Sequence, residues 1–368
     1  MTYADTLARA ALDAQAPRRP DAPTVISTFA GRGGSSTGYH MAGYRELLAV
    51  EWDDHAVATL RLNYPHLDVW QGDIAQLTVP DVLTRTGLQV GELDLFDGSP
   101  PCQGFSTAGR RAMDDPRNQL FREYTRLLRG LMPRTFVMEN VTGLAKGKMK
   151  TVFAEILQEL KACGYQVTAG VVNAAYLGVP QARERVIFIG CREDLGLTPT
   201  LPTPQTRFIA AAQALADLPD RPTGPGLMTT RKWINVWARV TPGQDFASIH
   251  PRGNLFNYLK LSPDRPVGTI TKTITTGNGG PGIYHWKYPR LLNIDELTRL
   301  GSFPDTYRWP GDPTNDQKDH MQAWAGIGNA VPPLMARAIG LHIQSTLLRT
   351  RNRYAYSIDL STDTASDS

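Results

Sequence analysis

From Thr24 to Gly190 the chain alternates short apolar runs with stretches of helical periodicity, and this alternation limits the fold more than any other feature. Apolar runs at Thr24–Phe29, Leu47–Glu51, Asp68–Gln71, Leu93–Asp97 and Phe136–Glu139 predict strands. The spacing over Asp54–Asn63, Asn118–Leu131 and Thr151–Cys163 predicts helices. Strands that alternate with helices build a parallel sheet covered on its faces. A later pair of runs, Gln166–Val172 and Arg185–Gly190, predicts two more strands. The expected class is α/β with a mixed, mostly parallel sheet.

Beyond this region the character of the chain changes. Residues 198–226 are proline-rich, and residues 227–320 are rich in Trp, Arg, Gly and Asn. A large domain over 23–195 plus 321–350 and a small domain over 196–320 are therefore expected. Residues 1–22 predict a short helix with a Pro-rich lead-in. A helical pattern resumes near Asp316 and runs to about Thr350, and 351–368 form a polar tail expected to be disordered. With 41% hydrophobic and 20% charged residues, the composition is that of a globular protein. No run approaches the ~18 apolar residues that suggest a membrane span, and the N-terminus lacks the apolar stretch of a secretory signal. Three scattered cysteines cannot form a disulfide framework, which points to a reducing cytoplasm. No His/Cys/Asp cluster has the spacing of a metal site. The net charge of +4 permits a polyanionic partner without requiring one.

In an open parallel sheet, ligands bind beyond the carboxyl ends of the strands. The unusual residues of the first half all fall there. The first strand runs into "FAGRGGSSTG", in which Gly31, Gly33 and Gly34 allow a sharp turn and a close backbone approach to a ligand. Twenty residues beyond Gly31 stands Glu51, placed to accept hydrogen bonds from ribose hydroxyls. Phe29 and Trp52 are candidates to sandwich a flat ring, or else core aromatics. The third strand is followed by Asp73. The glycine spacing is neither a dinucleotide fingerprint nor a phosphate loop.

The fourth strand ends in "DGSPPCQG". Cys102 follows two prolines that stiffen the backbone, so it is either a small buried hydrophobe or a nucleophile held in place. The polar stretch "STAGRRAMDDPR" after it reads as a loop able to close over a polyanion. Glu139, at the end of an apolar run, is either a general acid or one half of a salt bridge. Arg183 and Arg185 alternate in an extended segment and so face the same way, toward an anion or an electron-rich carbonyl, unless they form surface ion pairs.

Together these motifs resemble the DNA (cytosine-5) methyltransferases, in the family's order, from about Thr24 to Leu341. "FAGRGGSSTGYHMAG" is similar to the first motif, "GSPPCQGFS" to the Pro-Cys nucleophile motif, and "ENV" at Glu139–Val141 to the acid motif. "QARERVIFIG" is similar to the Gln-x-Arg-x-Arg motif, "RPVGTITKT" to the motif that organises target recognition, and "GIGNAVPP" to the last motif. Arg32 and Ser35-Ser36 stand in the first motif where members more often carry an aliphatic and less serine, and "GSFPD" lacks the glutamine often found before Phe-Pro.

The resemblance implies an S-adenosylmethionine-dependent methyltransferase (Rossmann-like) fold with a smaller target-recognition domain. It implies Cys102 as nucleophile, Glu139 as acid, Asn140 as its orienting neighbour, and Arg185 with Arg183 at the cytosine oxygen. For the cofactor it implies Phe29, Gly31, Gly33, Gly34, Glu51, Trp52, Asp73 and Pro101, with Asn329 and Val331 closing the pocket from the far end of the chain. It implies double-stranded DNA as substrate, a flipped-out base, a monomer, and a cognate restriction endonuclease as partner. Target recognition falls in 191–264, where "TRKWINVWARV" reads as a groove reader or a plain surface segment, and "TTGNGGPG" reads as a flexible loop. The competing readings are a tRNA-methylating member of the same fold, a nicotinamide-dependent oxidoreductase, and a catalytically silent DNA-binding protein. Ser106, where tRNA-methylating members usually carry Thr, favours DNA.

Overall fold

A computed structural model describes residues 2–101, 119–146, 149–249, 258–275 and 280–348. The predicted tail at 351–368, the stretch 106–117 and Cys102 itself lie outside the described residues, as does half of "TTGNGGPG".

The sheet has seven strands. In chain order, β1 (Thr24–Thr28), β2 (Arg45–Glu51), β3 (Val69–Gln71), β4 (Leu95–Gly98) and β5 (Thr135–Val141) are parallel. Then come β6 (Tyr165–Asn173), the two-residue β7 (Gln181–Ala182) and β8 (Glu184–Arg192). The spatial order is β3-β2-β1-β4-β5-β8-β6. β8 slots between β5 and β6 and runs antiparallel to both, which makes the sheet mixed. The chain leaves β1 toward one edge and returns to β4 on the other side. A crevice therefore opens beyond the carboxyl ends of β1 and β4.

The central strands carry apolar residues on both faces because both faces are buried. Val25, Leu95, Val137, Ile187 and Ile189 face one core layer. Ile26, Phe96, Phe136, Met138, Val186 and Phe188 face the other. The second layer is covered by α5 (Gln119–Leu131) and α6 (Lys150–Ala162), with the Tyr124 hydroxyl of α5 donating to the Val137 carbonyl at 3.1 Å. The first layer is covered by α1 (Tyr3–Gln15) and α2 (Gly34–Met41). α3 (Asp54–Asn63), matching its expected bounds, is capped by the Asp53 carboxylate. α4 (Val79–Thr86) is not evident from periodicity, yet Thr78 and Asp81 close a capping box around its first turn.

The segment 196–320 contributes α7 (Ala211–Leu215), α8 (Arg231–Arg239), β9 (Tyr258–Lys260), β10 (Val267–Gly268), β11 (Gly282–Tyr284) and α9 (Ile294–Leu300). β9 pairs with β11, and β10 pairs with β7. Phe246, Leu261 and Leu291 from this segment belong to the same buried cluster as Val25 and Leu95 of the sheet.

The helical pattern from Asp316 resolves into two helices, α10 (Gln317–Asn329) and α11 (Pro333–Ile343). Pro332 and Pro333 force the break, since proline lacks the amide donor and restricts the residue before it. α11 folds back onto α2. A Cβ on Gly34 would lie 2.2 Å from the Val331 carbonyl oxygen, and one on Gly38 would lie 2.4 Å from that of Pro333. Two glycines one turn apart thus let the helices touch backbone to backbone.

Candidate active site

Phe29, Glu51, Trp52, Asp73 and Pro101, drawn from the ends of β1, β2, β3 and β4, line one cleft of about 350 Å³. Phe29 has a left-handed backbone, φ 53°, a strained state that an aromatic residue holds only where its surroundings impose it. Glu51 is clamped by its own neighbours. One carboxylate oxygen accepts the Gly31 amide at 2.7 Å, and the other accepts the Trp52 amide at 2.8 Å and the Asp53 amide at 3.0 Å. A carboxylate has about four acceptor positions, so this one is fixed in direction and retains capacity for a hydroxyl. Trp52 is 77% exposed, an unusual cost for so large an apolar ring unless something covers it. Asp73 caps the short turn after β3 through the Ala75 amide at 3.0 Å and is exposed at the cleft.

Gly33 adopts φ 74° as the N-cap of α2, and a Cβ there would meet the Tyr307 hydroxyl at 2.9 Å. Gly33 and Gly34 therefore face packing partners, Tyr307 and Val331. Asn329 is exposed at the end of α10, and the Val331 carbonyl rests on Gly34.

On the other side of Pro101 lies the second group. Glu139 Oε1 and Arg185 Nε are 2.7 Å apart, joining the ends of β5 and β8. The ion-pair alternative for Glu139 is thus the one observed, and the partner is itself a candidate site residue. Next to it, the Asn140 side-chain amide donates to the Pro100 carbonyl at 3.0 Å, while its oxygen accepts the Val141 amide at 2.9 Å. Asn140 thereby ties the acid-bearing strand to the diproline turn that leads to Cys102.

Arg183 sits deeper, 2% exposed, and donates to the carbonyls of Gly328 at 2.9 Å and Ile270 at 3.3 Å. Burial, reinforced by Arg185, pushes its guanidinium down to about 9. Gln181 accepts the Ile270 amide at 3.2 Å, so the two side chains hold both backbone polar groups of one residue. The Trp324 indole also donates to the Thr271 carbonyl at 2.9 Å. These contacts seat the 265–273 segment and α10 against β7 and β8.

Sequence reasoning overlooked Asp97. It lies at the end of β4, 6% exposed, and accepts the Tyr39 hydroxyl at 2.7 Å. Burial raises its carboxyl to about 7, against hydrogen bonds from Tyr39 and Ser35 that lower it. Its place in the same "FDGSPPCQG" stretch was the available signal.

The arrangement offers a rigid acid, a paired guanidinium and a stiffened turn beside a cleft with a fixed carboxylate and a bare indole. This donor set fits an adenosine-bearing cofactor. The sequence matches the family described as C-5 cytosine-specific DNA methylase over residues 23–345. It is 34% identical over 333 residues to the Type II methyltransferase M1.HphI of Haemophilus parahaemolyticus, covering 86% of this chain and 85% of that one. It is 32% identical over 373 residues to M.DdeI of Desulfomicrobium norvegicum, covering 87% and 88%. Among solved structures, a putative DNA modification methyltransferase encoded within an E. coli prophage shares the fold with TM-score 0.72 and 23% identity, over 89% of this chain and all of that one. A family match spanning the sheet, the 265–273 segment and α11 accounts for why residues so distant in sequence converge here: the chain belongs to the C-5 cytosine-specific DNA methylases and uses S-adenosylmethionine.

Proposed function

We propose that this methyltransferase acts on cytosine within a specific sequence of duplex DNA, with Cys102 as nucleophile and Glu139, Asn140 and Arg185 arranged around the flipped base. The observation that carries this reading is the Asn140–Pro100 hydrogen bond beside the Glu139–Arg185 pair, because it locks the acid and the nucleophile's turn into one frame. Carbon 5 of cytosine is a poor nucleophile in an aromatic ring. Addition of the Cys102 thiolate to carbon 6 breaks the aromaticity and moves an electron pair toward carbon 5. Glu139 supplies a proton or hydrogen bond at ring nitrogen 3 and accepts from the exocyclic amine. Arg185, already oriented by Glu139, offsets charge that develops at oxygen 2. S-adenosylmethionine supplies the methyl group as a sulfonium. Loss of the carbon-5 proton to a base then expels the thiolate and restores the aromatic ring.

Phe29, Glu51, Trp52, Asp73 and Pro101 are the residues that would hold the cofactor, with Glu51 toward the ribose and Trp52 against the adenine. Gly31 contributes by aiming Glu51 through its amide, while Gly33, Gly34, Asn329 and Val331 shape the turn and its closure. Arg183 positions the 265–273 segment. The role proposed is bacterial restriction-modification, in the cytoplasm, with a cognate endonuclease and a monomeric methyltransferase; the relatives named Type II methyltransferases support the restriction-modification part of it. Among the described residues, no helix is long and apolar enough to cross a membrane.

The test is a duplex carrying 5-fluorocytosine at the methylated position. The fluorine blocks the final elimination, so a covalent complex should accumulate in the presence of S-adenosylmethionine, mapping to Cys102 by mass spectrometry and absent in Cys102→Ser. A Cys102→Ser protein that still turns over would remove the thiol from the mechanism.

A further inference from the structure

The outer face of α8 has no counterpart in the chemistry described so far. Its exposed residues are Arg231, Lys232, Asn235, Ala238 and Arg239, all within one stripe at helical spacing. None of Arg231, Lys232, Asn235 or Arg239 has an ion-pair or side-chain hydrogen-bond partner among the described residues. No acid interrupts the stripe. The exposed face of α1, by contrast, mixes Asp5, Arg9 and Asp13, as an ordinary solvated helix does. Asn235 occupies the middle of the stripe, one turn from Arg231 on one side and from Arg239 on the other.

The inner face is anchored by aromatic side chains. Trp237 donates its indole N–H to the His285 carbonyl at 3.1 Å, and the Lys260 ammonium sits 3.9 Å from its ring centroid. Trp233 stacks on Tyr258 with centroids 5.9 Å apart. Such backing holds a helix rigidly while presenting its polar side, as a reading element requires. An α-helix with its side chains is about 10–12 Å across, which the major groove, about 12 Å wide, admits.

Resting on the methyltransferase reading above, we propose that α8 enters the major groove of the substrate duplex, with Asn235 reading an adenine edge and Arg231, Lys232 and Arg239 contacting the flanking phosphates. Charge complementarity selects nucleic acid as the occupant. The central amide matches the donor–acceptor pair that adenine alone presents in the major groove, at its N6 and N7. A purely electrostatic face would place a cation there.

Methylome sequencing of DNA from cells expressing the full chain would first define the recognised motif. Synthetic duplexes bearing that motif, and single-base variants of it, then serve as probes. Asn235→Ala should reduce discrimination at one A·T position roughly 5- to 150-fold, leaving the other positions intact. Arg231→Ala/Lys232→Ala/Arg239→Ala should weaken binding to all duplexes and lower the slope of log affinity against log salt by up to about 2.7. Thermal midpoints of both variants should match the parent, since the altered side chains are exposed. An unchanged motif in Asn235→Ala overturns the base-reading role, and an unchanged salt slope in the triple variant overturns the docking. Either failure with the parent protein still methylating cytosine falls on α8 alone. A parent protein that methylates no DNA would overturn the methyltransferase reading, and this inference with it.

Discussion

Glu139 and Arg185 pair at 2.7 Å, so the carboxylate proposed as the acid is aimed by the guanidinium proposed to meet the base. Glu139→Gln keeps the shape but removes the ionisable group of the proposed acid and half of the ion pair. Its single-turnover methylation rate should fall about 10²- to 10⁴-fold while DNA retention in gel shift stays near that of the parent. Trp52 offers a cleaner probe of the cleft because it contributes little to the core. Trp52→Ala should weaken S-adenosylmethionine binding by about 1–3 kcal/mol, the usual worth of a base–aromatic stack, with no change in thermal midpoint; calorimetric titration reads the loss. Asp97 governs a pH effect. Its folded value of about 7 lies above the ordinary 3.8. Between those two values the folded protein holds a proton that the unfolded chain releases, so stability falls as pH rises through that window and is flat above it. The total is roughly 4 kcal/mol at 1.36 per unit. Asp97→Asn should flatten the dependence of urea midpoints on pH between 4 and 7.

The elements were legible to different degrees, for physical reasons. Strands β1 to β5 stood out because a sheet covered on both faces needs continuous apolar runs, and α3, α5 and α6 stood out through their periodicity. α2 was hidden because its sequence, GSSTGYHM, carries two glycines that weaken any helix signal. Those glycines serve contact instead of propensity, which only the position of α11 reveals. Gly38→Ala should therefore cost about 1–3 kcal/mol by overpacking against Pro333 and Ala336. Gly143 provides the control, because a methyl group added there would meet nothing within 4 Å: Gly143→Ala should leave the thermal midpoint unchanged. The Gln181 and Arg183 bracket was equally hidden, since its partner Ile270 lies 89 and 87 residues away and backbone donors and acceptors leave no mark in sequence. The Asn140–Pro100 tie has the same character.

At the scale of the molecule, the site is assembled from three distant stretches. The sheet supplies the cleft and the acid, the 265–273 segment is held by Gln181, Arg183 and Trp324, and α10 with α11 closes over the glycine turn. The order of the motifs along the chain was readable, and so was the return of the last helices, but not the contacts that fasten them. Those contacts rely on interlocking surfaces and are indifferent to peptide connectivity. Interrupting the gene within the exposed stretch 203–208 should thus yield two polypeptides that reassociate when produced together. Protection of genomic DNA from a methylation-sensitive nuclease, in cells making both pieces but in neither alone, would register the reunion. An enzyme divisible at that point, rejoined through the backbone-to-backbone seat of α11 on α2, would place DNA methylation under the control of whatever brings two halves together.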